Sequence, residues 1–142
     1  MSTALKFHYE VDPTDFTRAG ETSSIVKKKL SQLGFSPETI RKTAIAMDEG
    51  EINMVIHANG GSIDVLISPE KIEVIMSDVG PGIPDIEKAM QAGFSTAGDK
   101  VRELGFGAGM GLPNMKKYSD EMYIDTKIGE GTVVKLVIYS KE

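Results

Sequence analysis

The sequence predicts an α+β fold, a mixed but mainly antiparallel sheet covered on one face by helices. Three observations carry that prediction. Alternating apolar residues mark strands near both ends of the chain and in its middle, two long segments in the first half have helical spacing, and a glycine-dense stretch runs into a further short helix. At 142 residues the chain is expected to be one domain, 1–142, with one core.

Leu5–Val11 alternates and reads as the opening strand, closed by Asp12-Pro13. Thr14 or Asp15 can then cap a helix that runs to about Leu33, with Ile25, Leu30 and Leu33 as its clearest apolar positions, and Gly34 stops it. Ser36 places a capping hydroxyl before Pro37 at a first helical position. The pattern over 38–57 is helical, with Ile45, Ile52 and Ile56 spaced to share a face. Asn59-Gly-Gly is a stop. Residues 63–67 and 72–76 alternate on either side of the Ser68-Pro-Glu-Lys turn and read as an antiparallel pair. A short helix is expected over 84–92, a glycine-rich loop over 93–109 and a helix over 112–119. Strands at 122–126 and 132–139, joined by a Lys-Ile-Gly-Glu-Gly turn, complete the chain without any internal repeat or linker.

Composition narrows the class of function. Apolar residues make up 40% and charged residues 26%, which is ordinary for a soluble globular protein. A net charge of −5 with mixed signs gives no basic surface for nucleic acid. The chain has no cysteine and two histidines, His8 and His57, which excludes the usual zinc sites and any disulfide framework. With no leader-like or bilayer-length apolar stretch, the expectation is a cytoplasmic protein that engages neither membrane nor nucleic acid.

Three clusters carry the chemistry. In the second helix, Glu49, Asn53 and His57 lie four apart and form a polar stripe beside the apolar one. By itself this spacing also describes the solvated flank of an amphipathic helix. In a binding site, Asn53 offers an amide oxygen to Mg²⁺, and Glu49 can accept a proton from an attacking hydroxyl. The register points Asp48 and Glu51 away from Asn53, and Gly50 serves either close packing or close approach of a ligand.

The second cluster, Asp78-Val-Gly80-Pro-Gly82, follows a strand. A carboxylate only accepts hydrogen bonds, so Asp78 suits the amino group of adenine better than the carbonyl of guanine, with Gly80 and Gly82 letting backbone pass close to the base. A plain turn has the same residues. In the third cluster, Gly105, Gly107, Gly109 and Gly111 alternate and lead into a helix near Leu112, where N–H groups and the helix dipole favour phosphate. A flexible linker is the competing reading. The spacing matches neither a P-loop nor a dinucleotide fingerprint.

In this order the clusters resemble the N box and two glycine boxes of the GHKL, or histidine-kinase-like, ATPase superfamily. Within it, the chain resembles the small bacterial anti-sigma-factor serine/threonine kinases, the SpoIIAB, RsbW and RsbT group, over nearly its whole length. The stretches 33–37, 57–63 and 111–120 lean toward the RsbT type. The resemblance implies the Bergerat fold, a two-layer α/β sandwich, and ATP with Mg²⁺ as ligands. It makes Glu49 the catalytic base, Asn53 the metal ligand and Asp78 the adenine reader, with Gly80 and Gly82 beside the base. His57 and Thr132 would line the pocket, Thr96 would belong to a lid, and the backbone of Ala108, Gly109, Met110, Gly111 and Leu112 would hold the phosphates. Gly50 and Glu51 depart from the small apolar and polar residues usual after the base, and the lid is short and glycine-rich.

The expected activity is therefore phosphorylation of a serine or threonine on a STAS-domain anti-sigma-factor antagonist. A sigma factor or a metal-dependent serine/threonine phosphatase are the further partners implied, and a homodimer the possible assembly. The alternative is a nucleotide-gated binding module without kinase chemistry. A detached histidine-kinase catalytic domain fits least, because neither histidine lies on a helical hairpin.

Overall fold

The computed structural model describes residues 5–11, 21–57, 61–78, 111–127 and 129–140. Strand β1 (Leu5–Val11) is followed by helices α1 (Glu21–Gln32) and α2 (Pro37–His57). Strands β2 (Gly61–Ile67) and β3 (Lys71–Asp78) come next, then helix α3 (Gly111–Lys117) and strands β4 (Glu121–Lys127) and β5 (Gly131–Tyr139). The expected start of the first helix at Thr14 or Asp15, the helix over 84–92 and the loop over 93–109 lie outside the described residues.

The strands form one sheet in the order β1-β2-β3-β5-β4. Every pairing among the described strands is antiparallel, so the sheet is less mixed than expected. The connections explain this. A single helix between two strands returns the chain for a parallel neighbour, whereas two helices separate β1 from β2, and tight turns join β2 to β3 and β4 to β5. In the first of these turns the Ser68 N–H donates to the Lys71 carbonyl at 3.0 Å and the Lys71 N–H donates to Ser68 Oγ at 3.3 Å.

Register follows from alternation. Ile63, Val65 and Ile67 on β2 stand opposite Met76, Val74 and Ile72 on β3, and those stand opposite Val134, Leu136 and Ile138 on β5. All nine are buried. With Val11 of β1 they form the sheet side of the core, and Val26 and Leu30 from α1, Ala46, Met47 and Met54 from α2 and Met115 from α3 complete it. A slip of one residue in any of these strands would turn its apolar set to the opposite face. That opposite face is polar and aromatic: His8 lies between Glu10 at 2.7 Å and Asp64 at 2.6 Å, and Glu73 between Lys71 at 3.1 Å and Lys135 at 3.6 Å.

The helix ends obey local chemistry. Gly34 has φ of 86°, its N–H donates to the Ser31 carbonyl at 3.2 Å, and the Phe35 N–H donates to the Leu30 carbonyl at 3.1 Å. This is the left-handed glycine stop expected from the sequence. Ser36 Oγ accepts from the Thr39 N–H at 3.2 Å and so caps α2 ahead of Pro37.

Two expectations about helix faces are corrected. On α1, Ile25 and Leu33 are 38% and 48% exposed, and the buried face is Thr22, Ser23, Val26 and Leu30. On α2, Ile45 and Ile52 are only partly buried, and the seam runs through Thr39, Thr43, Met47, Gly50, Glu51 and Met54. Small residues won these positions because they let the helices approach closely, and methionine fills what remains. Isoleucine content alone pointed to the flank.

Candidate active site

Helix α2 places three carboxylates within four residues, Asp48, Glu49 and Glu51. Glu49 and Asp48 are half-buried and Glu51 is buried, only 3% exposed. Burial pushes all three carboxyl groups above their ordinary range. For Glu49 the neighbouring Asp48 charge adds to the rise, and a hydrogen bond from the Asn114 side chain on α3 opposes it. For Asp48 the Ser23 hydroxyl opposes the rise. Glu51 is held down against its burial by the backbone N–H groups of Thr22 and Ser23, each 3.3 Å from a carboxylate oxygen. A half-buried glutamate with a raised pKa is a more willing proton acceptor than an exposed one.

Gly50 lies between these acids on the side of α2 that meets the sheet. A Cβ there would lie 2.1 Å from Met76 Sδ, 2.7 Å from Met76 Cε and 3.0 Å from Met115 Cε. The glycine is a packing requirement: it lets α2 sit down on β3 and α3 together. Of the two roles left open by the sequence, close packing has direct support.

Two residues beyond Met76, β3 ends at Asp78. Asp78 Oδ1 accepts the backbone N–H of Thr132 at 3.1 Å, a contact between residues 54 apart in the chain. Thr132 is buried, and its hydroxyl pairs with that of Thr126 at 2.8 Å. On the other side of β3, Gly61 stands opposite Asp78 in register. With φ of 146°, it could take a Cβ only at 2.0 Å from the Ser77 carbonyl oxygen and 3.0 Å from Met54 Cε. The backbone is thus pressed between β3 and the last turns of α2.

These contacts bring the acidic turn of α2, the end of β3 and the first turns of α3 together. Gly50 meets both β3 and α3, and Met54, next to Asn53, meets the Gly61–Asp78 pair. Glu49 and Asp78 are on adjoining elements, and Thr132 is bonded to Asp78. Asn53 and His57 lie one and two turns beyond Glu49 on α2, and Gly111 and Leu112 open α3. Gly80, Gly82, Thr96, Ala108, Gly109 and Met110 lie outside the described residues. Reading the sequence missed the contacts of Asn114 and Gly61, and it placed Glu51 only as pointing away from Asn53, without its bonds to α1. Nothing in the spacing joins Asn114 to Glu49, and Gly61 was legible only as a helix stop.

Comparison with known proteins agrees with this fold. The chain is similar to the serine/threonine-protein kinase RsbT of Bacillus subtilis, 34% identical over 110 residues that cover 75% of this chain and 77% of the relative. It is also similar to the anti-sigma F factor of Caldanaerobacter subterraneus, 32% identical over 140 residues that cover 95% and 91% of the two chains. Among solved structures, the RsbU and RsbW domains of Rv1364c from Mycobacterium tuberculosis share its fold with a TM-score of 0.65 at 17% identity, over 97% of this chain and 33% of that longer one. The SiaB–SiaC complex from Pseudomonas aeruginosa does so at 0.62 and 13% identity, over 96% and 90%. The family model described as histidine kinase-like ATPase domain matches residues 13–138. The chain therefore belongs to the histidine kinase-like ATPase domain family.

Proposed function

We propose that this protein is an ATP-dependent serine/threonine kinase of the anti-sigma regulatory type, which transfers the γ-phosphoryl group to a STAS-domain antagonist. The observation that carries the reading is the Asp78 carboxylate, fixed by the Thr132 N–H at 3.1 Å on a strand packed beneath the acidic turn of α2. Similarity to a serine/threonine kinase and to anti-sigma F factors supports the choice of reaction.

The residues divide the work by their chemistry. Asp78 accepts a hydrogen bond from the amino group of adenine, and Thr132, His57, Gly80 and Gly82 lie around the base. The backbone over 108–112 binds phosphate, and Thr96 belongs to the segment that closes over it. Mg²⁺ fits the donor types, because Asn53, whose amide oxygen suits a hard cation, follows the half-buried carboxylate of Glu49 by one turn of α2. When bound, Mg²⁺ supplies charge neutralisation at the phosphate oxygens. Glu49, its pKa raised by burial and by Asp48, accepts the proton of the attacking hydroxyl. The rest of the catalysis is positioning and charge stabilisation.

The phosphorylated partner would then alternate between two binding partners, with a sigma factor or a metal-dependent phosphatase on the output side. Purified protein with Mg-ATP should phosphorylate a serine or threonine of a STAS-domain protein from the same genome, and Glu49→Ala should abolish the transfer. Failure to label any such partner, or full activity of Glu49→Ala, would refute kinase chemistry. Tight nucleotide binding in the first case would leave a nucleotide-gated binding module.

A further inference from the structure

Among the described residues, Glu51 is the buried carboxylate to which the proposed phosphoryl transfer assigns no role. It is 3% exposed, and its two carboxylate oxygens separately accept the backbone N–H groups of Thr22 and Ser23, both at 3.3 Å. Those N–H groups belong to the first turn of α1, where a helix has donors without partners of its own. A carboxylate is a strong acceptor for them and also complements the helix dipole. Asp48, one turn earlier on α2, accepts from Ser23 Oγ at 3.5 Å. The start of α1 is therefore bonded to two acids that flank Glu49 in sequence.

Capping alone does not require this arrangement. Helix α2 is capped by Ser36, a local, partly exposed hydroxyl three residues from the N–H it serves. Helix α1 instead uses a carboxylate 28 and 29 residues away, buried at the cost that desolvating a charge imposes. The donor and acceptor elements are the two helices that lie between β1 and β2, and the acceptor sits two residues from Glu49. Gly50, between them, is in contact with Met76 and Met115, so the same turn of α2 is gripped from the sheet side too. A rotation of α2 that took Glu51 out of α1 would carry Glu49 through the same angle.

We propose that Glu51 is a positioning residue for phosphoryl transfer: by binding the first turn of α1 it sets the rotation of the α2 turn that carries Glu49. The proposal rests on the reading of Glu49 as proton acceptor, and its consequence is that a shift of α1 is felt at the base. A protein that docks on α1 can thereby change the rate without touching nucleotide.

The test compares Glu51→Ala and Glu51→Gln with Ser36→Ala, which removes a cap remote from Glu49, and with Glu49→Gln. Two quantities are read: single-turnover phosphoryl transfer from Mg-ATP, and titration of the Glu49 carboxyl carbon by NMR. Burial and the Asp48 charge raise the Glu49 pKa, so a change in that titration reports a change in the surroundings of Glu49, and the uncharged Glu51→Gln and Glu51→Ala variants are read together with the transfer rate. Expected for both Glu51 variants is a tenfold or greater loss of transfer rate with ATP affinity within twofold of wild type. The Glu49 midpoint should fall toward the ordinary glutamate range, while Ser36→Ala loses stability but keeps rate and midpoint. Glu51→Gln keeps the volume and one acceptor oxygen, and it is read in the same way if Glu51→Ala does not fold. A folded Glu51 variant whose Glu49 titrates as in wild type overturns the proposal, whatever its rate. If Glu49→Gln transfers phosphate normally, the role of Glu49 as base fails separately, and the titration still decides whether Glu51 sets its surroundings.

Discussion

Replacing Asp78 by asparagine removes charge and little else. The variant retains a side-chain oxygen for the Thr132 N–H, now accepted by Asp78 Oδ1 at 3.1 Å, so the β3–β5 pairing and the fold should survive. On the function proposed above, what it loses is a charged acceptor for the adenine amino group. Hydrogen bonds to charged groups contribute about 1.5–3 kcal/mol, and each 1.4 kcal/mol is tenfold in affinity, so ATP and ADP should each bind roughly 10–150-fold more weakly. Phosphate contacts are unaffected, so the two nucleotides should weaken by the same factor. GTP should not weaken, because an amide can donate to the guanine carbonyl where a carboxylate cannot. Titration calorimetry with ATP, ADP and GTP on both proteins gives all three ratios. An ATP affinity within twofold of wild type, with thermal stability unchanged, would show that Asp78 does not read the base.

Gly61→Ala should lower the melting temperature by about 6–12 °C, from about 2–4 kcal/mol of backbone strain and overlap with the Ser77 carbonyl; calorimetric scanning checks this. Gly50→Ala sets a helix gain of about 1 kcal/mol against crowding of the buried ends of Met76 and Met115, so denaturant titration should show a net loss of at most about 2 kcal/mol. Gly50→Leu should not fold. The acidic limb of the transfer rate should lie above the ordinary glutamate value of about 4.3, since burial and Asp48 raise the Glu49 pKa, and Asp48→Asn should move that limb to lower pH. For stability the sign is as follows: Asp48, Glu49 and Glu51 bind protons more tightly folded than unfolded, so their contribution is fully present below the ordinary carboxylate range and lost as pH rises through the raised values. Urea titrations between pH 7 and 5 should show a smaller gain on acidification for Asp48→Asn than for wild type.

The strands and caps were legible because their signals are local. Alternation over residues 63–67 and 72–76 fixed both the pairing of β2 with β3 and the face they bury, and Ser36-Pro37 and Gly34 marked helix ends that the structure reproduces. The helix faces were less legible, because spacing treats isoleucine as the best core residue. Actual helix contacts are chosen by fit, which favoured Thr43, Met47 and Gly50 over Ile45 and Ile52. At the proposed site, motif order singled out Glu49 and Asp78, and the family resemblance Thr132; the structure adds how they are held. The bond from Thr132 to Asp78, the approach of Asn114 to Glu49 and the role of Glu51 depend on which elements become neighbours, and no periodicity encodes that.

The place of β5 between β3 and β4 has a consequence for biosynthesis. During synthesis, a nascent chain exposes the acidic turn of α2 and the end of β3 long before residues 131–139 leave the ribosome, yet the partner that steadies Asp78 arrives only with them. Closing so wide a loop is slow compared with forming the β2–β3 hairpin. If Asp78 reads the base as proposed, ribosome-bound chains that have not yet exposed residues 131–139 should bind ATP weakly, and binding should appear only once β5 has paired with β3.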